Sequence, residues 1–147
     1  MTMVTYQRNL ASVNEVEIHL KNCDAEFVPP LSERVRIEDY ALKLVNHAQR
    51  FEAWYEGELA ALVAMYCNDE TLGKAFISSV SVAIHLRGQG IASKLIDIGV
   101  GYAQETSLRQ VELEVDRRNV DARRLYLQKG FTVVSETGTN LLLQRIL

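Results

Sequence analysis

Two glycines and an arginine mark the point where an apolar segment ends and a helical pattern begins. Gly88 and Gly90 follow Arg87, and apolar residues at helical spacing start at Ile91. The first N–H groups of a helix have no partner within the helix, and glycine lets a ligand approach the backbone without a Cβ in the way. The helix dipole favours an anion at this end, and an arginine fork suits phosphate. The pattern therefore predicts a binding site for an anion of the size of a diphosphate.

Two common phosphate-binding loops do not fit the spacing of this turn. A nucleoside-triphosphate loop needs Gly-x-x-x-x-Gly-Lys-Ser/Thr, and no glycine precedes Ser93-Lys94 in that register. A dinucleotide loop needs Gly-x-Gly-x-x-Gly after an early strand, whereas the segment from Gly88 ends in Ser93 and comes late in the chain. A nucleotide-binding protein, and a turn that binds nothing, remain the alternatives at this point.

The amino-acid composition excludes several classes of protein for this chain. The 147 residues are 48% hydrophobic and 24% charged, which is typical of one globular domain rather than of a disordered chain. No apolar run approaches the ~18 residues that a membrane span needs, and the start of the chain has no signal-peptide pattern. We therefore expect a cytoplasmic protein without membrane association. The formal charge of −3 argues against nucleic acid as a partner.

Cysteines and histidines are few and scattered. Cys23 and Cys67, in a chain without an export signal, do not indicate a disulfide framework. No spacing among the cysteines and the three histidines is typical of metal ligands. We predict no metal site.

The apolar spacing predicts the element order β-α-α-β-β-β-α-β-α-β-β over a single domain, residues 1–147. The predicted strands cover residues 4–7, 51–55, 58–66, 75–84, 110–115, 131–136 and 140–146. The predicted helices begin at Ser12 or Asn14, cover 37–48, run from Gly88 to Thr106, and cover 121–129. This order indicates a mixed sheet covered by helices, of the α/β class with α+β character.

A second motif identifies the family that this chain resembles. The segment from Asn119 to Phe131 closely resembles the Asn-x-x-Ala-x-x-Leu-Tyr-x-x-x-Gly-Phe pattern of the GNAT superfamily of N-acetyltransferases. Arg87, Gly90 and Ala92 match that superfamily's Gln/Arg-x-x-Gly-x-Gly/Ala turn. The resemblance covers the chain from about residue 52 to its end, and more loosely the first two helices. It implies a mostly antiparallel central sheet of about seven strands, with four helices on its two faces and splayed central strands.

The resemblance implies that acetyl-CoA, as the acyl donor, lies between two diverging parallel strands that end near Ile84 and Val115. The backbone groups of the first strand would bind the pantetheine arm, and the amides of residues 87–93 would bind the diphosphate. Arg123 and Lys129 would lie toward the 3′-phosphate. The residues expected to bind the donor are Val80, Ser81, Val82, Arg87, Gly88, Gln89, Gly90, Ala92, Ser93, Asn119 and Tyr126.

The implied chemistry is direct attack of an amine on the thioester. Tyr126 matches the tyrosine that acts as general acid on the departing thiolate in the superfamily, and the N–H of Val82 is the candidate donor to the carbonyl oxygen. A phenol with an ordinary pKa of about 10 is protonated at neutral pH and can donate a hydrogen bond to the developing thiolate.

The sequence offers several candidates for the general base that would deprotonate the amine. Many members of the superfamily carry a carboxylate on the strand that leads into the glycine turn, but this chain has Ser78 and Ser79 there. Glu114 on the partner strand is the candidate base, with Asp69 and Glu70 in the preceding loop as alternatives. A water relay to a more distant group is a further possibility.

The predicted function is acetyl transfer to the primary amine of a small molecule, either an amino sugar or an amino-acid-like compound. The alternatives are an acetyltransferase that acts on peptide or protein N-termini and a non-catalytic module that binds CoA for regulation. A homodimer is the assembly that we expect for this fold.

Overall fold

The computed structural model describes residues 3–69 and 71–147, and one mixed sheet runs through them. The strands are β1 (Thr5–Arg8), β2 (Gln49–Tyr55), β3 (Glu58–Asp69), β4 (Lys74–Val82), β5 (Gln110–Asp116), β6 (Thr132–Thr137) and β7 (Asn140–Ile146). The α-helices are α1 (Val13–Asn22), α2 (Ile37–His47), α3 (Ile91–Gln104) and α4 (Val120–Gln128). Single-turn 3-10 helices lie at Asp24–Glu26, Leu31–Glu33 and Ile84–Leu86.

The sheet has the strand order β1-β2-β3-β4-β5-β7-β6, and β4 and β5 are the parallel pair among the described strands. Short turns join β2 to β3, β3 to β4 and β6 to β7, whereas the parallel pair needs the longer crossover through α3. The predicted seven-stranded, mostly antiparallel sheet with four helices is confirmed. No described helix combines the length and the apolar character needed to span a bilayer.

Helices cover both faces of the central strands. Along β3, Ala61, Val63 and Met65 pack into the core cluster that includes α3 and Tyr126 of α4. The alternate residues Leu62 and Ala64 pack into a second cluster, with α1 and α2. Since successive side chains of a strand point to opposite faces, an apolar strand of this kind needs a helical layer on each side.

The glycine turn differs from the prediction in where its elements end. The predicted strand 75–84 ends at Val82 and is followed by the 3-10 helix Ile84–Leu86. The helix predicted from Gly88 begins at Ile91, because Gly88 and Gly90 have φ values of 77° and 78°, which an α-helix does not contain. The two glycines therefore form the turn itself.

The parallel pairing of β4 with β5 stops halfway along the strands. The paired residues run from Lys74 with Gln110 to Ile77 with Leu113. Immediately beyond, Ser78 is an extra residue in the β3–β4 ladder, a bulge that bends β4 away from its neighbour. The rest of β4 and the end of β5 therefore diverge, which is the predicted splay of the central strands.

A buried hydrogen bond attaches α1 to the divergent part of β4. His19 is buried on α1, and its Nε2 lies 2.8 Å from Oγ of Ser81. Burial lowers the pKa of His19 from 6.5 to about 4, although hydrogen bonds to the backbone at Leu59 and Ser81 oppose the shift. The folded protein therefore holds this ring in its neutral form.

We expect His19 to make the stability of the protein depend on pH between 6.5 and about 4. In this window the unfolded chain binds a proton on the ring and the folded protein does not, so the free energy of unfolding falls as the pH falls, and this loss levels off below about 4. The His19→Gln variant should lack this loss, which is roughly 3 kcal/mol. Urea denaturation at several pH values measures it, with His47→Gln, at the exposed end of α2, as the control. Equal pH dependence of wild type and His19→Gln would contradict the assignment.

Candidate functional site

The turn between β4 and α3 presents a row of unpaired backbone amides. A Cβ built at Gly88 or Gly90 would meet nothing within 4 Å, so the space in front of the turn is open. The Gly90 carbonyl accepts the first helical bond, from the N–H of Lys94 at 3.0 Å. The N–H groups from Gly88 to Ser93 have no acceptor in the described part of the chain. They are the donors that an anion site at a helix start requires.

Arg87 is engaged with the protein more than its place in the motif suggests. Its backbone N–H donates to the Ile84 carbonyl at 3.3 Å, so the unpaired amides begin at residue 88 rather than at 87. Its Nε donates to the Val82 carbonyl at 3.3 Å, and one terminal nitrogen donates to Glu26 at 3.1 Å. Arg87 therefore stabilises the turn and links it to the 3-10 helix Asp24–Glu26 by a hydrogen bond.

The backbone of β4 beyond the bulge faces the gap between the strands. Ala83 donates its N–H to the Ala60 carbonyl at 2.8 Å, which makes them a hydrogen-bonded pair of the β3–β4 ladder. Such pairs alternate along antiparallel strands, so Val82 and Val80, in the alternate positions, point their N–H and C=O groups away from β3. Because β5 does not pair there, the N–H and C=O of Val80 and the N–H of Val82 are available to a ligand laid along the strand, whereas the Val82 carbonyl accepts the Nε of Arg87.

Two cavities meet at this gap. The first, which we call the turn cavity, has a volume of about 360 Å³ and lies between the glycine turn, the first turn of α3 and α4. The second, the strand cleft, has a volume of about 260 Å³ and lies between the diverging strands and the segment 27–34. Four residues line both cavities, namely Phe27, Val80, Asn119 and Tyr126, and we call the place where the two cavities adjoin at these residues the passage.

The residues predicted to bind the donor gather around the turn cavity. Gln89 does not line it, and Arg123 and Lys129 line neither cavity. Lys129 instead forms an ion pair with Asp97 at 2.9 Å. The predicted residues that line the turn cavity are Val80, Ser81, Val82, Arg87, Gly88, Gly90, Ala92, Ser93, Asn119 and Tyr126.

Tyr126 combines burial with a hydroxyl group that has no partner among the described residues. It is 7% exposed, and its ring packs edge-on against Phe131 at 6.2 Å between centroids. Burial raises the pKa of Tyr126 well above its ordinary value of 10. The phenol therefore stays protonated across the physiological range and can donate to a group in the passage between the cavities.

Asn119 has a structural role that the sequence did not reveal. Its side-chain oxygen accepts the N–H of Ala122 at 3.3 Å and so caps the start of α4. The side-chain nitrogen has no acceptor among the described residues. This leaves two N–H donors for a ligand in either cavity.

Glu114 is the candidate base that lies at the strand cleft. Its neighbours Leu113 and Val115 point into the α3 cluster, so strand alternation directs Glu114 to the opposite face of the sheet. The carboxylate lines the cleft together with Ser78 and Ser79 and forms no ion pair with any described residue. Tyr126, by contrast, belongs to the α3 side. The candidate acid and base thus approach the gap from opposite faces.

Asp69, another candidate base, does not reach this cleft. Asp69 accepts the N–H of Leu72 at 3.2 Å in the turn that precedes β4, at the end of that strand opposite to the splay. Glu70 lies outside the described residues. Ser79 lines the cleft, but its hydroxyl oxygen is buried and has no partner in the described structure.

Sequence reasoning missed Phe27 and Arg34 as site residues. Both lie in the connection between α1 and α2, which carries no helical or strand periodicity and folds as 3-10 turns. The carboxylate of Asp24 accepts the N–H of Ser32 at 2.7 Å and its hydroxyl at 2.6 Å, which folds the segment back across the gap. The two prolines at positions 29 and 30 predict a turn in this segment. They do not indicate which part of the fold the turn packs against.

We expect Gly90→Leu to weaken CoA binding without unfolding the protein. The side chain would enter the space in front of the amides, so the dissociation constant should rise roughly tenfold or more. Gly57→Leu is the matched control, because Gly57 has the same φ of 78° and open surroundings in the β2–β3 turn. Both variants should lose roughly 1–2 kcal/mol of stability from backbone strain. Calorimetric titration with CoA checks the first expectation, and unchanged affinity in Gly90→Leu would contradict it.

Solved structures share this architecture across their whole length at low sequence identity. PaiA N-acetyltransferase from Thermoplasma acidophilum, in complex with coenzyme A, has 14% identity, covers 97% of this chain and 99% of its own, and has a TM-score of 0.77. Ard1 from Thermoplasma volcanium has 20% identity, with 98% and 97% covered and a TM-score of 0.79. A GNAT acetyltransferase from Staphylococcus aureus Mu50 has 13% identity, with 98% and 99% covered and a TM-score of 0.79. These likenesses show the fold.

The sequence itself matches a family over most of its length. The model of the acetyltransferase (GNAT) family matches residues 15–131, which include the glycine turn and the motif on α4. No curated protein matches the sequence. The family match, the splayed strands and the open amides of the turn agree, and the chain belongs to the acetyltransferase (GNAT) family of acyl-transferring enzymes.

Proposed function

We propose that the protein transfers the acetyl group of acetyl-CoA to the primary amine of a small molecule by direct attack on the thioester. The observation that carries the proposal is the meeting of two cavities at Tyr126, one of them in front of unpaired amides. The turn cavity would hold the donor and the strand cleft the acceptor. The reacting thioester would then lie in the passage, where the turn cavity and the strand cleft adjoin.

The donor would be bound mainly by backbone groups. The amides from Gly88 to Ser93 would donate to the diphosphate, supported by the dipole of α3. The outward N–H and C=O groups of Val80 would pair with the pantetheine amides as a neighbouring strand does. The side-chain nitrogen of Asn119 would donate to a carbonyl of the same arm.

In the reaction, the amine nitrogen forms a bond to the acetyl carbon, and the carbon–sulfur bond breaks to release the CoA thiolate. The N–H of Val82 would donate to the carbonyl oxygen as its negative charge develops. Tyr126 would donate a hydrogen bond to the departing sulfur. The high pKa of Tyr126 suits this role, because the phenol remains a donor but does not release its proton readily.

The amine must lose a proton before or during its attack. An alkylamine with an ordinary pKa of about 10.4 is almost wholly charged at pH 7, a handicap of roughly 5 kcal/mol. Glu114 would accept this proton, directly or through a water molecule, from its position on the cleft side of β5. Its carboxylate would also attract the ammonium form of the acceptor into the cleft.

A small acceptor fits the strand cleft better than a large one. The cleft has a volume of about 260 Å³, which is below the ~300–1,000 Å³ of pockets for drug-sized ligands. This supports an amino-acid-like compound or a single amino sugar. A homodimer remains our expectation for the assembly, and sedimentation velocity tests it.

A panel of amines and peptides with acetyl-CoA, followed by thiol release, tests the proposed function. We expect turnover with small primary amines and little with peptides, and replacement of Tyr126 by Phe should lower kcat about a hundredfold or more. The KM for acetyl-CoA should change little. Tyr102→Phe on α3 is the control, because Tyr102 packs against Phe51 at 5.7 Å and lines neither cavity.

Three outcomes separate the alternatives. Turnover of peptides but not of free amines would favour an acetyltransferase of N-termini. Tight CoA binding without turnover of any amine would favour a regulatory module. A normal kcat in Tyr126→Phe would remove this tyrosine as the hydrogen-bond donor to the departing sulfur.

The Glu114→Gln variant tests whether Glu114 is the general base. We expect kcat to fall and the acidic limb of the pH–rate profile to flatten, because the group that must lose its proton before it can act as a base would be gone. Glu112→Gln is the matched control, because Glu112 lies two residues earlier on the same strand face, 3.9 Å from Lys74 and outside the cleft. An unaltered acidic limb in Glu114→Gln would eliminate this carboxylate as the base.

A further inference from the structure

Four charged side chains line the strand cleft, and two of them neutralise each other. Arg118 donates from Nε to one oxygen of Asp116 at 2.9 Å and from a terminal nitrogen to the other at 2.7 Å. This fork holds the pKa of Asp116 far below its usual range. Arg34 and Glu114 are both exposed to solvent at the cleft, and neither forms an ion pair with any described residue. The cleft therefore offers a ligand one unpaired positive charge and one unpaired negative charge at its solvent-exposed side.

The backbone that carries Arg34 is ordered by its own hydrogen bonds. The Arg34 N–H donates to the Leu31 carbonyl at 2.9 Å, and the side chain of Leu31 is buried in the core. The acidic residues of the neighbouring 3-10 helix are engaged elsewhere, Asp24 with Ser32 and Glu26 with Arg87. Arg34 thus lies at a fixed place on the cleft without a partner from that turn.

Hydroxyl groups of β4 and α2 surround the same end of the cleft. Tyr40 on α2 donates to the Ser78 carbonyl at 3.1 Å and is hydrogen-bonded to the Ser78 hydroxyl. Burial raises the pKa of Tyr40, and the nearby charge of Arg34 is among the influences that oppose the rise. Ser79 lines the cleft, but its hydroxyl oxygen is buried beside Tyr40 and is not offered to a ligand.

A carboxylate would accept two parallel hydrogen bonds from the guanidinium fork of Arg34. A phosphate carries more charge than the single unpaired arginine of the cleft can balance. A neutral amino sugar would make no use of the Arg34 charge.

We propose that the acceptor is an amino acid or a related amino-carboxylate, whose carboxylate is bound by Arg34 while its amine lies toward Glu114 and Tyr126. The inference rests on the proposed function, because it assigns the strand cleft to the acceptor. Arg34 is then the residue that selects the substrate class and takes no part in the bond changes.

The experiment compares amino acids with their carboxamides, which keep the amine and lose the charge. We expect wild-type kcat/KM to favour the carboxylate member of a pair by about tenfold or more, the range of a charged hydrogen bond. Arg34→Gln should lower this ratio about tenfold or more relative to the wild type, through a higher KM for the carboxylate with little change in kcat. Arg36→Gln is the control, because Arg36 is exposed two residues later, pairs with Asp39 at 3.7 Å and lines neither cavity.

A second measurement, calorimetric binding of the same pairs to the protein saturated with CoA, separates the two proposals. Arg34-dependent binding of carboxylates without any turnover supports the anion site and overturns the proposed function. Turnover of amines with equal ratios in wild type and Arg34→Gln overturns the anion site and leaves the proposed function standing. Arg34→Lys should restore part of the preference, because it keeps the charge but not the fork.

Discussion

The parallel ladder between β4 and β5 ends beyond Ile77, and the two cavities depend on that break. The bulge at Ser78 bends β4 and also shifts its side-chain alternation by one residue. Ala75 and Ile77 before the bulge, and Val82 after it, all pack into the α3 cluster. The strand therefore keeps its apolar support on one face while its edge becomes available to a ligand.

Both cavities offer hydrogen-bond donors that lack acceptors among the described residues. The turn offers the amides from Gly88 to Ser93, the passage offers the hydroxyl of Tyr126, and the cleft offers Arg34. A thioester donor carries phosphates, amide carbonyls and a sulfur that becomes anionic. Fixed donors placed where this charge lies or develops need no reorganisation during the reaction, which is the main way in which proteins stabilise such charge.

Motifs with strong local constraints predicted the glycine turn and the helix α4 from the sequence. Only glycine adopts the φ values of residues 88 and 90 without strain, and the Asn119–Phe131 pattern belongs to a helix with a cap and a terminating glycine. The lining of the strand cleft was not predictable in the same way. Phe27 and Arg34 reach the gap through tertiary contacts of an irregular segment, and the engagement of Arg87 with Glu26 joins residues 61 positions apart. Contacts between residues so far apart in the chain leave no periodic pattern in the sequence.

The exposed amides of the glycine turn also link the folding equilibrium to the supply of the donor. A ligand that binds only the folded chain adds about 1.4 kcal/mol to the unfolding free energy for every tenfold rise of its concentration above the dissociation constant. The protein would therefore resist thermal denaturation and proteolysis better where acyl donor is plentiful. A shortage of cofactor would reduce the lifetime of the molecule as well as its rate of turnover.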